Sequence, residues 1–157
     1  MKIKLLAVGK TNDTNLQALI NDYCERLTHY TSFSAEYITP PKQIKKLNTK
    51  QQCIKEGTLI LQKLDIGDIV ILLDENGKTF TSITFAHFIQ KQLNASPKQL
   101  VFVIGGAYGF SDLVYKSAQF KIALSKLTFS HQMVRLFFVE QVYRAFTILR
   151  NESYHHQ

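Results

Sequence analysis

Leu100-Val101-Phe102-Val103-Ile104-Gly105-Gly106-Ala107-Tyr108-Gly109-Phe110-Ser111-Asp112 changes character twice within a short span. Five consecutive apolar residues, rich in β-branched side chains, predict a strand buried on both faces. Three glycines within five positions then break it, and Ser111-Asp112 is a helix start. A buried strand that ends in a glycine turn and opens a helix belongs to an α/β sheet. Ligands in such sheets bind at the carboxyl ends of the strands. Glycine there lets a backbone approach a ligand without an intervening Cβ. The turn reads G-G-x-x-G, which is neither the dinucleotide fingerprint nor a P-loop. On its own it is equally a tight connection with no ligand.

The flanking sequence repeats the alternation. Residues 2–8 form a first strand ending at Gly9. Asn12 to Tyr30 carries Leu16, Leu19, Ile20, Tyr23 and Leu27 at helical spacing, with Thr11, Asp13 or Thr14 as cap. Phe33 to Ile38 alternates as a second strand, stopped by Pro40-Pro41. Ile44, Leu47, Ile54 and Leu61 mark one face of a long lysine-studded helix. Asp68–Leu73 is a further buried strand, leading into a turn centred on Asn76-Gly77. Thr81 or Ser82 starts a helix carrying Phe85, Phe88, Ile89 and Leu93. A short helix covers about 111–118, and Phe120, Ile122 and Leu124 alternate as the last strand. Met133 to Arg150 closes the chain as a helix with Val134, Phe137, Phe138, Val142, Ala145, Ile148 and Leu149 on its apolar face. Strand and helix alternate throughout, so the expected fold is one α/β domain over residues 1–157, a mostly parallel sheet with helices on both faces.

Composition narrows the function. The 157 residues are 45% hydrophobic and 20% charged, the balance of a soluble globular protein. No apolar run approaches a membrane span, and no signal peptide precedes the first strand, so a cytoplasmic protein is expected. Cys24 and Cys53 have no metal or redox spacing. No G-x-S-x-G, H-E-x-x-H or His/Cys cluster supports hydrolysis or metal chemistry. The net charge is +7, which favours an anionic partner, nucleic acid first. Six lysines (42, 45, 46, 50, 55 and 63) face one acid, Glu56, between Pro41 and Lys63. They are either a solvated helix face or a surface for phosphates.

Three strand ends are candidate ligand sites: residues 73–77, the Ile104-Gly105-Gly106 turn, and Leu124-Ser125-Lys126-Leu127-Thr128-Phe129. The last is a loop with apolar Leu124, Leu127 and Phe129 set among Ser, Lys and Thr, which suits the wall of a pocket for a flat apolar ring. Ser130 follows as a cap for the final helix, placing His131 and Arg135 four apart at its start. A helix N-terminus beside an Arg suits an anion.

Taken together, these segments resemble one family along the whole chain. The blocks are Met1-Lys2-Ile3, Ala7-Val8-Gly9-Lys10, Lys55-Glu56-Gly57, Leu73-Asp74, Gly77-Lys78, the Phe102–Gly109 turn, Leu124–Arg135, Glu140–Ala145 and Tyr154-His155. They are similar to the RlmH family, SPOUT-class methyltransferases that modify a pseudouridine of 23S ribosomal RNA. Ser130 departs from the pattern, standing where many members have proline. The resemblance implies an α/β sheet with a C-terminal trefoil knot, a homodimer, and action on the assembled ribosome. It implies S-adenosylmethionine as cofactor, held by Leu73, Gly105 and residues Leu124, Ser125, Lys126, Leu127, Thr128 and Phe129. His131, Arg135, Arg144, Tyr154 and His155 are the residues expected to position RNA and handle protons, with no metal and no membrane involved. A ribosome-binding protein with a vestigial pocket, and a nucleotide-binding enzyme using the Gly-Gly turn, are the alternatives. Titration with S-adenosylmethionine tests the first, and competition by ATP or NAD but not by S-adenosylhomocysteine would favour the second.

Overall fold

The computed structural model describes residues 2–156; Met1, which opens the resemblance, and Gln157, the end of the tail, lie outside the described residues. Strands β1 (Lys2–Val8), β2 (Ser32–Ile38), β3 (Asp68–Thr79), β4 (Gln99–Ile104) and β5 (Phe120–Ala123) form one sheet. Their order is β2-β1-β4-β3-β5, and each pair is parallel. Helices α1 (Thr14–Thr28), α2 (Thr49–Leu61), α3 (Ser82–Asn94), α4 (Asp112–Ser117) and α5 (Met133–Leu149) connect or follow the strands.

Two-residue alternation divides the core. Ile3, Leu5 and Ala7 of β1, with Leu100, Phe102 and Ile104 of β4, pack under α1, α3 and α5. Leu6, Val8, Val101 and Val103 point the other way, under α2 and α4. Residues 100–103 have no exposed surface, so the central strand is buried on both faces as its sequence predicts. Phe102 meets Phe138 of α5 with ring centroids 4.8 Å apart. Burying an aromatic ring of this kind is worth about 1.5–3 kcal/mol.

Local chemistry sets the helix starts. Asp13 accepts the Leu16 N–H at 2.8 Å, Thr81 and Thr84 form a reciprocal capping box, and Ser111 caps α4. Asn48 explains one departure from the sequence reading. The single helix expected across residues 44–61 is instead a 3-10 helix, Lys42–Lys46, followed by α2. Leu47 is extended, and the Asn48 side chain accepts the Gln51 N–H at 2.9 Å, starting a new helix. The buried face of α2 is therefore Glu56, Gly57 and Ile60, while Ile54 is 47% exposed.

The expected Asn76-Gly77 turn lies inside β3. Leu73 and Lys78 both pair with Ile122, so residues 74–77 bulge out and the strand then resumes. Gly77 makes this possible: a Cβ there would come within 2.5 Å of the Ile122 backbone. The last helix also differs. Phe137 is 39% exposed, whereas Arg135, not expected in the core, is fully buried.

Candidate active site

Three strand ends meet as the sequence predicts. The carboxyl ends of β3, β4 and β5 enclose a cleft of about 580 Å³, within the size range of small-molecule sites. Residues 73–76, 104–110, 122–125 and 127–131 line it, with Tyr115 and Val134. Of the residues expected to hold a cofactor, Leu73, Gly105, Leu124, Ser125, Leu127, Thr128 and Phe129 are at the wall. Lys126 is not at the wall, and its side chain is exposed.

The walls are held in place by short-range bonds. Gly109 takes a left-handed conformation, φ 78°, and donates its N–H to the Gly106 carbonyl at 3.2 Å. This closes the turn after β4 with a residue that tolerates positive φ. Asp74 accepts the Asn76 N–H at 2.8 Å and the Tyr115 hydroxyl at 2.5 Å, tying the β3 bulge to α4. Burial, then the bond to Asp74, raises the Tyr115 pKa, so its proton stays on oxygen. The Leu127 N–H donates to Ser125 Oγ at 2.9 Å, and Phe129 stacks beside Phe137 at 4.7 Å. Ser130, expected as the cap of α5, lies two residues before its N-cap, Gln132, which makes no side-chain cap bond; the Ser130 hydroxyl still accepts the Met133 N–H at 3.1 Å.

The residues expected to handle RNA and protons divide into three groups. His131 lines the cleft. Burial of its ring and the nearby Arg135 charge lower its pKa, which favours the neutral imidazole. Arg135 points away from the cleft, into the core. Its Nη2 donates to the Val8 carbonyl at 2.8 Å, its Nη1 to Thr11 Oγ at 2.9 Å, and its guanidinium lies over Tyr37. It ties the end of β1 to the start of α5. Arg144, Tyr154 and His155 form a third group farther along α5. Arg144 donates to Glu140 Oε1 from Nε at 3.0 Å and Nη2 at 2.6 Å, and its Nη1 lies 3.3 Å from His155 Nδ1. The Tyr154 hydroxyl donates to the same Glu140 oxygen at 3.0 Å, lies 3.1 Å from Tyr23 Oη, and its ring lies under the Arg144 guanidinium. Burial first, then the Tyr23 and Glu140 contacts, hold its pKa up.

This third group does not line the cleft of its own chain. Ten residues of α5 separate Val134 at the wall from Arg144, about 15 Å of helix. Glu140, the acceptor that organises the group, was not singled out from sequence, although its i,i+4 spacing to Arg144 is a readable signal. Tyr23, more than a hundred residues away, has none.

Parallel sheet, glycine turn and a cleft of small-molecule size at the strand ends define an α/β protein of net positive charge. Comparison with known proteins is specific. The family model described as "Predicted SPOUT methyltransferase" matches residues 1–155. A Flavobacterium johnsoniae protein named ribosomal RNA large subunit methyltransferase H is 60% identical over the full length of both chains. Proteins of the same name from Flavobacterium psychrophilum and Christiangramia forsetii are 60% and 58% identical, again over both full lengths. A solved probable methylase family protein from Haemophilus influenzae shares the fold at 10% identity. Its TM-score is 0.53, over 99% of this chain and 70% of that one. The chain belongs to the SPOUT methyltransferase family, among the relatives named ribosomal RNA large subunit methyltransferase H.

Proposed function

We propose that the cleft binds S-adenosylmethionine and that the protein methylates N3 of a pseudouridine in 23S ribosomal RNA, on the assembled ribosome. The observation that carries the reading is the convergence of Leu73, Gly105 and residues 124, 125 and 127–129, far apart in sequence, on one cleft. Its chemistry fits the cofactor. Asp74 and Glu75 line it and no Lys or Arg does, although the chain carries a net charge of +7, so a sulfonium cation is received where the protein is locally acidic. Leu124, Leu127 and Phe129 offer apolar surface to a flat base. A Cβ on Gly105 would come to 3.0 Å from the Phe110 ring and 3.1 Å from the Gly109 carbonyl, so any side chain here presses on this wall.

The cofactor supplies an activated methyl group, so the protein has to align the acceptor nitrogen, exclude water and take up the N3 proton. Neutral His131 at the wall is suited to hold or relay that proton. Arg135 keeps the start of α5, and hence His131, at the end of β1. Arg144, Tyr154 and His155 are the groups suited to the RNA. Because they lie away from their own cleft, the reading assigns them to the cleft of a second subunit in a homodimer. Leu19, Met133 and Phe137 on α1 and α5 are large exposed apolar side chains that such a dimer would cover. In this reading the C-terminal part carries the family's trefoil knot.

Four measurements test the proposal. Isothermal titration should show S-adenosylmethionine binding that S-adenosylhomocysteine competes and ATP does not. Mass spectrometry of 23S RNA from cells lacking the gene should show loss of one methylated pseudouridine. An unchanged RNA sinks the substrate assignment. Deleting residues 151–157 should leave cofactor binding intact and abolish transfer to ribosomes. A mixed dimer, one subunit with that deletion and the other with Gly105→Val, should keep about half the activity if the tail crosses, since both lesions then fall in one site. An inactive mixed dimer rules out the crossing.

A further inference from the structure

The face of α2 turned toward the cleft carries chemistry that the cofactor wall does not explain. Cys53, Glu56 and Gly57 lie at i, i+3 and i+4, and all three meet the loop that runs from β4 to α4. Cys53 Sγ is 3.5 Å from the carbonyl oxygens of Tyr108 and Gly109. A Cβ on Gly57 would collide with Ser111 Oγ, the cap of α4. Glu56 sits between them, 5% exposed. Gln52 donates its amide to Glu56 Oε1 at 3.1 Å. Oε2 is buried and has no hydrogen-bond partner among the described residues. Burial raises the Glu56 pKa against the smaller opposing effect of Gln52.

What Oε2 faces is Gly106. A Cβ on that residue would lie 2.5 Å from Oε2 and 3.1 Å from both Cδ and Oε1. The backbone of Gly106 lines the cleft, so the carboxyl supports the cleft wall from behind. Gly106 has no positive φ that would by itself require glycine. The space taken by the carboxyl is what excludes a side chain at this position. A buried carboxyl with one unpaired oxygen is costly in a core, and a helix that needed only to pack there would be served by an apolar residue.

We propose that Glu56 is a positioning residue for the cofactor site: its carboxyl sets the Gly105–Gly109 loop against the ligand, and residue 106 is glycine to leave room for it. The inference rests on the reading of the cleft as the S-adenosylmethionine site and adds a residue outside its wall.

A double-mutant cycle on the full chain tests it, with S-adenosylmethionine affinity by titration, transfer kinetics, and thermal unfolding without cofactor. Glu56→Ala should weaken binding about tenfold, the size expected of a directly coupled contact. Its kcat at saturating cofactor should stay within about twofold, because nothing that touches the reacting atoms has changed. Glu56→Gln, of the same shape, should stay within about threefold of the wild type. Gly106→Ala should weaken binding about tenfold or more, and Gly106→Ala combined with Glu56→Ala should lose less than the product of the two single effects. A merely structural Glu56 would lower melting temperature and active fraction while the folded fraction kept its affinity; that result overturns the proposal, as do strictly multiplicative effects. If Glu56→Ala does not fold, Gly106→Ala decides alone: its nearest neighbours are all atoms of Glu56, so unchanged affinity overturns the proposal. A wild-type chain that binds no S-adenosylmethionine overturns the cofactor reading and this inference together. Wild-type binding with no effect of either residue overturns only the inference.

Discussion

Replacing Arg135 with Met removes a buried cation that no carboxylate balances among the described residues. Its guanidinium is fully enclosed, and burial lowers its pKa. The change deletes two hydrogen bonds, to the Val8 carbonyl at 2.8 Å and Thr11 Oγ at 2.9 Å. Hydrogen bonds to charged groups contribute about 1.5–3 kcal/mol each. The desolvation cost that the charge no longer incurs offsets part of this, and Met refills most of the volume. A net loss of about 2–3 kcal/mol remains, because the Val8 carbonyl stays in the core without its donor. For a domain of this size, 1 kcal/mol moves the melting temperature by about 2–4 °C, so a fall of about 4–12 °C is expected. Differential scanning calorimetry of the cofactor-free protein measures it. An arginine that served mainly to bind RNA would behave in the opposite way, with the melting point unmoved and ribosome affinity reduced at low salt. A shift below about 1 °C would refute the structural role.

The remaining predictions concern the cleft and the basic surface. Gly105→Val places a branched side chain against the Phe110 ring and the Gly109 carbonyl; overpacking of about 1–3 kcal/mol should weaken S-adenosylmethionine binding about 5- to 150-fold in titrations, with the circular dichroism spectrum retained. Lys45, Lys46 and Lys50 are exposed, whereas Lys63 pairs with Glu36 at 2.7 Å; changing the first three to Gln should lower the salt slope of ribosome binding by about 2–3, and an identical slope would leave them a solvated face. With its pKa held down by burial and Arg135, His131 is neutral at pH 7 and protonates only as pH falls. Transfer should therefore be flat above about pH 6.5 and decline below it, and a pH–rate profile of His131→Gln that keeps the acid limb would remove His131 from proton handling.

The sequence-readable parts of this protein are those governed by local rules. Residues 100–104 declare a doubly buried strand through five apolar side chains, and Asp13, Thr81 and Ser111 declare helix starts through their hydroxyl or carboxylate oxygens. Leu124, Leu127 and Phe129, set among polar residues in a loop, mark a pocket wall without reference to any tertiary contact. What could not be read was set by partners distant in sequence. Arg135 looks like a surface cation on a helix, and the carbonyl of Val8, the hydroxyl of Thr11 and the ring of Tyr37, all distant in sequence, make its burial tolerable. The β3 bulge looks like an ordinary Asn-Gly turn because its cause is the Ile122 backbone pressed against Gly77. The lysine-rich segment looks like one helix because a periodicity of apolar residues outweighs a single capping Asn48.

The same distinction governs the site. Residues that shape the cleft wall through backbone and packing, such as Gly105, Leu124, Leu127 and Phe129, leave a composition signature. Residues that act through another group do not: Glu56 is one acid among six lysines, and its importance follows only from the missing Cβ of Gly106. Glu140 illustrates the cost of that blindness. One of its oxygens accepts from Arg144 and Tyr154 at once, so removing it should free both side chains together. The cluster is thus organised to hold the tail as a unit on α5, with His155 beside Arg144. Beyond the Tyr154 ring, which packs edge-on against Tyr143, the tail has little to bury, and a chain end of that kind frays without such bonds. That it is held by a charged network, and at a distance from its own cleft, is the strongest structural reason to look for its substrate contacts across a subunit boundary.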